Sequence, residues 1–340
     1  FNPDPTPRKG KCQLPDAPYG ANNRTSEGAL RRGSRIHADT KRNSRIRGLV
    51  TVGTSLGAGS VRELATRVGI TPTKKLGQNF VIDPNTVRYI IEQSRVDSDS
   101  IALEIGPGLG SLTLMLLEQA SHVIAIEIDP RLSEQLPITV SEMCPELAGK
   151  LEVINRDAMQ VHAGELEAAP SALIANLPYN VAVPVLLHFL AEVPSLRNVL
   201  VMVQKEVADR LCAGPGSRTY GIPSVKIQWF GKAEAAGNIG KNVFWPAPNV
   251  DSGLVRVNVS HPYGHNEVLR REVFQVIDAA FAHRRKTLRA GLANFLGSPA
   301  VSEQALTTAG IDPSARAETL ELEAFVRLTE AMSELRLSGH

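Results

Sequence analysis

The stretch Glu104-Ile105-Gly106-Pro107-Gly108-Leu109-Gly110 decides the fold. It closes an apolar run, Ile101 to Ile105, and leads into a helical pattern from Ser111 to Gln119. A strand that turns through glycines into a helix lets the backbone approach a ligand closely and aims helix N-terminal amides at it. Such a turn serves a dinucleotide, adenosylmethionine, or nothing more than a tight corner. The dinucleotide fingerprint needs its third glycine at position 111, which is Ser, while Gly110 sits one place early. That spacing argues against hydride chemistry.

Outward from this turn, short apolar runs alternate with helical patterns, as expected of parallel strands joined by crossover helices. The expected strands are Ile101 to Ile105, His122 to Ile126, Leu151 to Ile154, Ala172 to Ala175 and Asn198 to Val203. Further on, Val225 to Phe230 and Leu254 to Val259 read as two more strands, divided by the Pro-rich loop Trp245 to Pro248, and predict an antiparallel hairpin closing the sheet. Beyond His261 the pattern is helical, near Glu267 to Ala282, Arg284 to Leu296, Ser302 to Ala309 and Thr319 to Glu334, broken by Gly297, Pro299, Gly310 and Pro313. The reading is an α/β chain: a Rossmann-like sheet over residues 61–261 and a small all-helical C-terminal domain over 262–340. No internal repeat is visible.

With 340 residues, 43% hydrophobic and 21% charged, the chain can bury a full core and leave room for a second small domain. Net charge is only +2, so affinity for an anionic polymer must come from local clusters. Residues 1–60 form one, with Arg8, Lys9, Lys11, Arg24, Arg31, Arg32, Arg35, Lys41, Arg42, Arg45 and Arg47 among many Pro, Gly, Asn and Ser. This basic extension is expected to be unfolded, and can also be read as an organellar transit peptide. The chain does not begin with Met, so its true start is not visible. Cys12, Cys144 and Cys212 lack metal-ligand spacing, so neither a zinc site nor a disulfide framework is expected. No apolar run is long enough to span a membrane. A cytoplasmic monomer is the expectation.

Two further segments carry chemistry. Glu127 ends the second strand, about twenty residues after the glycine turn, where a carboxylate can accept hydrogen bonds from two ribose hydroxyls. Asp157 follows the third strand and can bind an adenine amine, or serve only as a solvated cap. Asn176-Leu177-Pro178-Tyr179 follows the fourth strand, on the sheet edge where ligands bind. An exocyclic adenine amine is a poor nucleophile because its lone pair is delocalised into the ring. The amide oxygen of Asn176 and a main-chain carbonyl of Leu177 or Pro178 can accept its two hydrogens, localise the lone pair and point it at a sulfonium methyl. Pro178 stiffens the turn, and Tyr179 can stack on a base drawn out of its helix. The same four residues also make an ordinary turn. Taken together, the motifs predict a class I methyltransferase that uses S-adenosyl-L-methionine on adenine.

The chain also resembles the KsgA/RsmA family of small-subunit ribosomal RNA adenine dimethyltransferases from about Thr73 to Glu334. The resemblance rests on Lys74 to Phe80, Glu104 to Gly110, Asn176 to Tyr179, Gln204 to Arg210, Phe244 to Pro248, Val250 to Ser252 and Phe281 to Lys286. It implies that Asn79, the main chain of Val81, Gly106, Glu127, Asp157 and Asn176 hold the cofactor, although position 81 is more often Leu in the family. It further implies that Phe244 stacks on the flipped adenine opposite Tyr179; a core Phe at a Pro-rich corner is the plainer reading. The implied substrate is a pair of adjacent adenosines in a hairpin loop near the 3′ end of small-subunit rRNA, each methylated twice, with the pre-ribosomal particle as partner.

Lys74, Lys75, Lys205, Arg210, Arg218, Arg284, Arg285, Lys286 and Arg289 are candidate phosphate contacts, and equally a solvated basic face. Among these, Lys205, Arg210, Arg284, Arg285 and Lys286 are the expected RNA-binding set. Three other readings compete: a resistance methylase acting on large-subunit RNA, often with Ile where Leu177 stands; an assembly factor that acts by occupying a site; and a nicotinamide oxidoreductase, disfavoured by the glycine spacing.

Overall fold

A computed structural model describes residues 55–71, 78–283 and 285–338. Most of the basic extension, together with Lys74, Lys75 and Arg284, lies outside the described residues. The chain runs α1 (Ala58–Arg67), β1 (Phe80–Val81), α2 (Pro84–Ser94), β2 (Ile101–Ile105), α3 (Ser111–Gln119), β3 (His122–Glu127), α4 (Pro130–Met143), β4 (Leu151–Asn155), β5 (Ala172–Asn176), α5 (Ala182–Glu192) and β6 (Asn198–Gln204). It continues through α6 (Lys205–Leu211), α7 (Ile222–Gln228), β7 (Gly231–Ile239), β8 (Phe244–Trp245) and β9 (Ser252–Val259). Helix α1 begins inside the expected extension, so Ala58 to Ser60 are helical.

Seven strands form one sheet in the order β4-β3-β2-β5-β6-β9-β7, parallel from β4 to β6 and antiparallel at β9 and β7. Alternation along each strand sends side chains to two faces. Leu103, Ile105, Ile124, Ile126, Leu173, Val201 and Val255 join one core, while Ala102, Val123, Ile174, Leu200, Met202 and Leu254 join the other. Both faces are covered, which is why these strands read as largely apolar runs. The fold is Rossmann-like, as expected.

Two expectations need correction. Val225 to Phe230 is not a strand: it falls in α7 and the turn after it. Gly221 N–H donates to Ser224 Oγ at 3.0 Å, Pro223 occupies the first helical turn, and Val225 and Ile227 are buried. The outer strand is β7, Gly-Lys-Ala-Glu-Ala-Ala-Gly-Asn-Ile, which pairs with β9. The closing antiparallel pair is therefore present with a different first member. Likewise Arg284 to Leu296 is not one helix. After α8 (Glu267–Phe281) comes a turn, then two single-turn helices, α9 (Leu288–Gly291) and α10 (Ala293–Leu296). The first amides of α9 are taken by neighbouring loop carbonyls: Leu288 N–H donates to Ala315 O at 2.8 Å and Arg289 N–H to Pro313 O at 3.1 Å. Helix α11 (Pro299–Thr308) starts three residues before its expected place, because Ser298 caps it by accepting Val301 N–H at 3.2 Å with proline in its first turn. Helix α12 (Leu322–Ser338) completes the chain. Val276, Ile277 and Phe325 from these helices share a core with Phe189, Val201 and Val255. Among the described residues, no helix is long and apolar enough to cross a membrane.

Candidate active site

Strand order reverses between β2 and β5, and ligands bind such sheets outside the carboxyl ends of the strands at that reversal. A cavity of about 300 Å³ opens there. The glycine turn forms one wall. Gly106 has φ +69°, and no heavy atom lies within 4 Å of where a Cβ would stand, so that space belongs to the cavity. At Gly108, φ +60°, a Cβ would come 2.9 Å from the Phe80 ring. Its N–H instead donates to Glu127 Oε2 at 3.1 Å, while Asp129 N–H donates to Glu127 Oε1 at 2.9 Å. Burial raises the pKa of Glu127, and these two amides oppose the rise.

Glu104 is a second buried carboxyl in this wall, and sequence patterning alone did not single it out as a candidate. Its Oε2 has no hydrogen-bond partner. Burial pushes its pKa up to about 8, with the Thr113 hydroxyl opposing and the charge of Glu127 assisting. An acid inside the run Ile-Ala-Leu-Glu-Ile was the available signal, since a strand buried on both faces has no solvated side for it. Ile128 and Met159, 59% and 40% exposed, also line the cavity and offer flat apolar contact to a ring. Asp157 lines the cavity, and its Oδ1 caps Met159 N–H at 3.0 Å.

The opposite wall is Asn176 to Tyr179, which leaves β5 and turns along the sheet edge. Asn176 Nδ2 donates to the Asn79 carbonyl at 3.0 Å. Two carbonyl oxygens at that distance would repel, so the amide nitrogen must face Asn79, which leaves Oδ1 for another donor. Leu177 N–H donates to Met202 O at 3.1 Å and its side chain is buried; Pro178 O accepts Val181 N–H at 3.2 Å. The Tyr179 hydroxyl meets Ser252 Oγ at 3.0 Å, and burial raises the tyrosine pKa. Val81 also lines the cavity, with its carbonyl held by the Ser111 hydroxyl at 2.9 Å.

One cavity thus gathers Asn79, Val81, Gly106, Glu127, Asp157, Asn176, Leu177, Pro178 and Tyr179. Phe244 is not in its lining: it is 3% exposed, packed in the core beneath, and pairs with Val81 across β8 and β1. A base can stack on Phe244 only if that segment shifts. Of the expected RNA contacts, the described Lys205, Arg210, Arg285 and Lys286 do not line the cavity. Lys205 pairs with Asp209, and Arg210 with Glu206 at 2.8 Å, all on α6. Arg285 and Lys286 are exposed in the turn after α8. At the other end of the strands, His122, Glu152 and Glu167 bring ligating atoms within 4.8 Å of one another. His122 Nε2 and Glu152 Oε2 approach to 3.8 Å.

The pattern of the family described as ribosomal RNA adenine dimethylase matches residues 71–334. Ribosomal RNA small subunit methyltransferase A of Nocardia farcinica is 60% identical over 275 residues, which is 80% of this chain and 94% of that protein. The protein of the same name from Streptomyces coelicolor is 56% identical over 277 residues, 81% of this chain and 96% of its own. Among solved structures, a dimethyladenosine transferase from Plasmodium falciparum superposes with TM-score 0.64 at 25% identity, covering 76% of this chain and 97% of its own. The 23S rRNA methyltransferase ErmE shares the fold, with TM-score 0.55 at 24% identity, over 75% of this chain and all of its own. A glycine turn with its paired carboxylate, an asparagine presenting its amide oxygen at the sheet's reversal point, and identity of this order along the chain lead to one conclusion: the chain belongs to the ribosomal RNA adenine dimethylase family, in its KsgA/RsmA branch.

Proposed function

We propose that this cavity holds S-adenosylmethionine against the glycine turn and admits a flipped adenine against Asn176 to Tyr179. The chain is an rRNA adenine N6,N6-dimethyltransferase of the small ribosomal subunit, and we assign it the adjacent adenosines of the 3′-terminal hairpin loop. The residues present fit such a cofactor. Glu127 has lone pairs left for two ribose hydroxyls, Ile128 and Met159 flank a slot for an aromatic ring, and Asp157 stands beside that slot for its amine. Glu104, which lines the cavity, suits a cationic group such as an α-ammonium, because a charged partner offsets the cost of ionising a buried carboxyl. When bound, S-adenosylmethionine would supply an electrophilic methyl on a cationic sulfonium whose sulfur would keep the bonding pair.

The chain's own residues orient the acceptor. Asn176 Oδ1 and the carbonyl of Leu177 or Pro178 take the amine hydrogens, turning the lone pair out of conjugation. Tyr179 offers a stacking face. The amine proton becomes acidic once nitrogen is alkylated and leaves to water, so no general base is required. We further propose that Lys205, Arg210, Arg284, Arg285 and Lys286 contact phosphates, that the helices after His261 form an RNA-binding domain, and that the protein works as a cytoplasmic monomer on pre-ribosomal particles.

The observation that carries this reading is the orientation of the Asn176 amide, fixed by Asn79 so that its oxygen is presented at the cavity. The test supplies tritiated S-adenosylmethionine with immature small subunits, unmethylated large subunits and naked RNA in parallel, and maps the label by nuclease digestion and mass spectrometry. Dimethyladenosine confined to the small-subunit 3′ hairpin is expected. Label on large-subunit RNA would move the assignment to the resistance methylases, and tight particle binding without label would move it to an assembly role.

A further inference from the structure

Tyr179 and Ser252 are 73 residues apart in sequence, one following β5 and the other opening β9 on the far side of β6, yet their hydroxyls meet at 3.0 Å. The two ends of this contact are held very differently. Ser252 is fully buried and opens β9, opposite Gln204 of β6 and Ile239 of β7, so a strand holds it on either side. The next residue leaves no slack, since a Cβ on Gly253 would stand 2.6 Å from the Ala208 methyl of α6. Tyr179, by contrast, sits in the turn after β5 and is half-buried. Because β9 runs antiparallel to β6, its first residue lies at the same sheet edge as the carboxyl end of β5. The contact therefore ties a loop side chain to the rigid frame. A tyrosine ring turns about two torsions, and holding its far oxygen, which lies on the axis of the second, fixes the position and long axis of the ring.

We propose that Ser252 is a positioning residue whose hydroxyl holds the long axis of the Tyr179 ring in place beside the base, and that the lock matters most when the target amine already carries one methyl group. The inference rests on the reading that Tyr179 stacks on the target base. An unmethylated amine offers two hydrogens, one to Asn176 Oδ1 and one to a main-chain carbonyl, and two hydrogen bonds orient the base. A monomethylated amine offers one. Rotation about the remaining bond must then be restrained by the stacking face, which restrains it only if the face itself is fixed. A hydroxyl pair that merely satisfied buried polar groups would affect stability and leave the two transfers in their usual ratio.

Ser252→Ala and Tyr179→Phe each remove the lock while keeping the ring. The expected result is accumulation of monomethyladenosine, with the second transfer slowed about tenfold, the order expected for one lost hydrogen bond, and the first much less. A second readout needs no cofactor: a hairpin RNA carrying 2-aminopurine at the target position is quenched on the wild-type ring, and both variants should leave it brighter. Tyr179→Ala separates the two claims. If it methylates like wild type, Tyr179 is no platform and the underlying reading falls. If it is inactive and unquenched while Ser252→Ala and Tyr179→Phe keep the wild-type product ratio and quenching, the platform stands and the lock is overturned. Should Ser252→Ala fail to fold, Tyr179→Phe decides between the same two outcomes.

Discussion

On one side of the cavity, Gly108 and Asp129 hold Glu127 through backbone amides 19 and 2 residues away. On the other, Asn176 is held by a carbonyl 97 residues away and Tyr179 by a hydroxyl 73 residues away. The glycine turn and Glu127 of the first wall thus come from a single β-turn-α-β passage. The second exists only when β1, β5 and β9 have all reached their places. This difference divides the labour: local geometry prepares a fixed surface for the methyl donor, and the assembled fold orients the acceptor. Changes in the first wall should act on cofactor affinity, and changes in the second on transfer.

The largest effect expected from this division is a crossover between two variants. Asn176→Ala should lower dimethyladenosine formation by at least about a hundredfold, since it removes the acceptor that orients the nucleophile, yet lower S-adenosylmethionine affinity far less than that. Glu127→Ala should instead lower that affinity, by about a hundredfold for the loss of hydrogen bonds to a charged acceptor. Calorimetric binding and single-turnover methylation on both variants check this; equal losses in both measurements would erase the distinction between the walls.

Glu104 sharpens the picture of the first wall through pH. Its carboxyl is held near 8 in the folded chain against an ordinary value of 4.5. Between those values the unfolded chain has lost a proton that the folded chain keeps, so stability of the cofactor-free protein falls as pH rises from 4.5 to 8 and then levels off. Glu104→Gln should remove that slope, matching wild type near pH 4.5 and melting higher at pH 8. Binding of a cationic ligand at pH 7 should release about one proton from wild type and none from this variant, as titrations in buffers of different ionisation enthalpy will read. The smallest effect is expected at Gly108→Ala. Left-handed backbone strain of about 1–2 kcal/mol and pressure on the Phe80 ring should lower the melting temperature by a few degrees, with cofactor affinity falling before the product ratio changes.

The first wall was the part most open to reading from sequence, and for the same physical reason that it is rigid: its contacts are local. Ile101 to Ile105 is apolar because both sheet faces are covered, the glycines adopt positive φ, and Glu127 closes the next strand. Asn176 to Tyr179 was legible as chemistry, but the carbonyl and the hydroxyl that orient it come from distant segments and left no local mark. The misreading of Val225 to Phe230 has a similar origin. Buried Val225, Ile227 and Trp229 alternate with polar Lys226 and Gln228, a period that suggests a strand, while Gly221 and Ser224 cap the segment as a helix. The true strand, Gly231–Ile239, is built of Ala, Gly, Lys, Glu and Asn with weak strand preference, and takes its conformation from pairing with β9. Glu104 escaped notice because burial, not spacing, makes it unusual.

The most direct test of a donor wall facing an acceptor wall is a crystal structure with S-adenosylhomocysteine bound. The expected complex has the ribose hydroxyls on Glu127, the ammonium beside Glu104, and Asn176 Nδ2 still on the Asn79 carbonyl with Oδ1 turned toward the space left for the base. A ligand bound away from Glu127, or an Asn176 amide that swings round to spend its oxygen elsewhere, would contradict it.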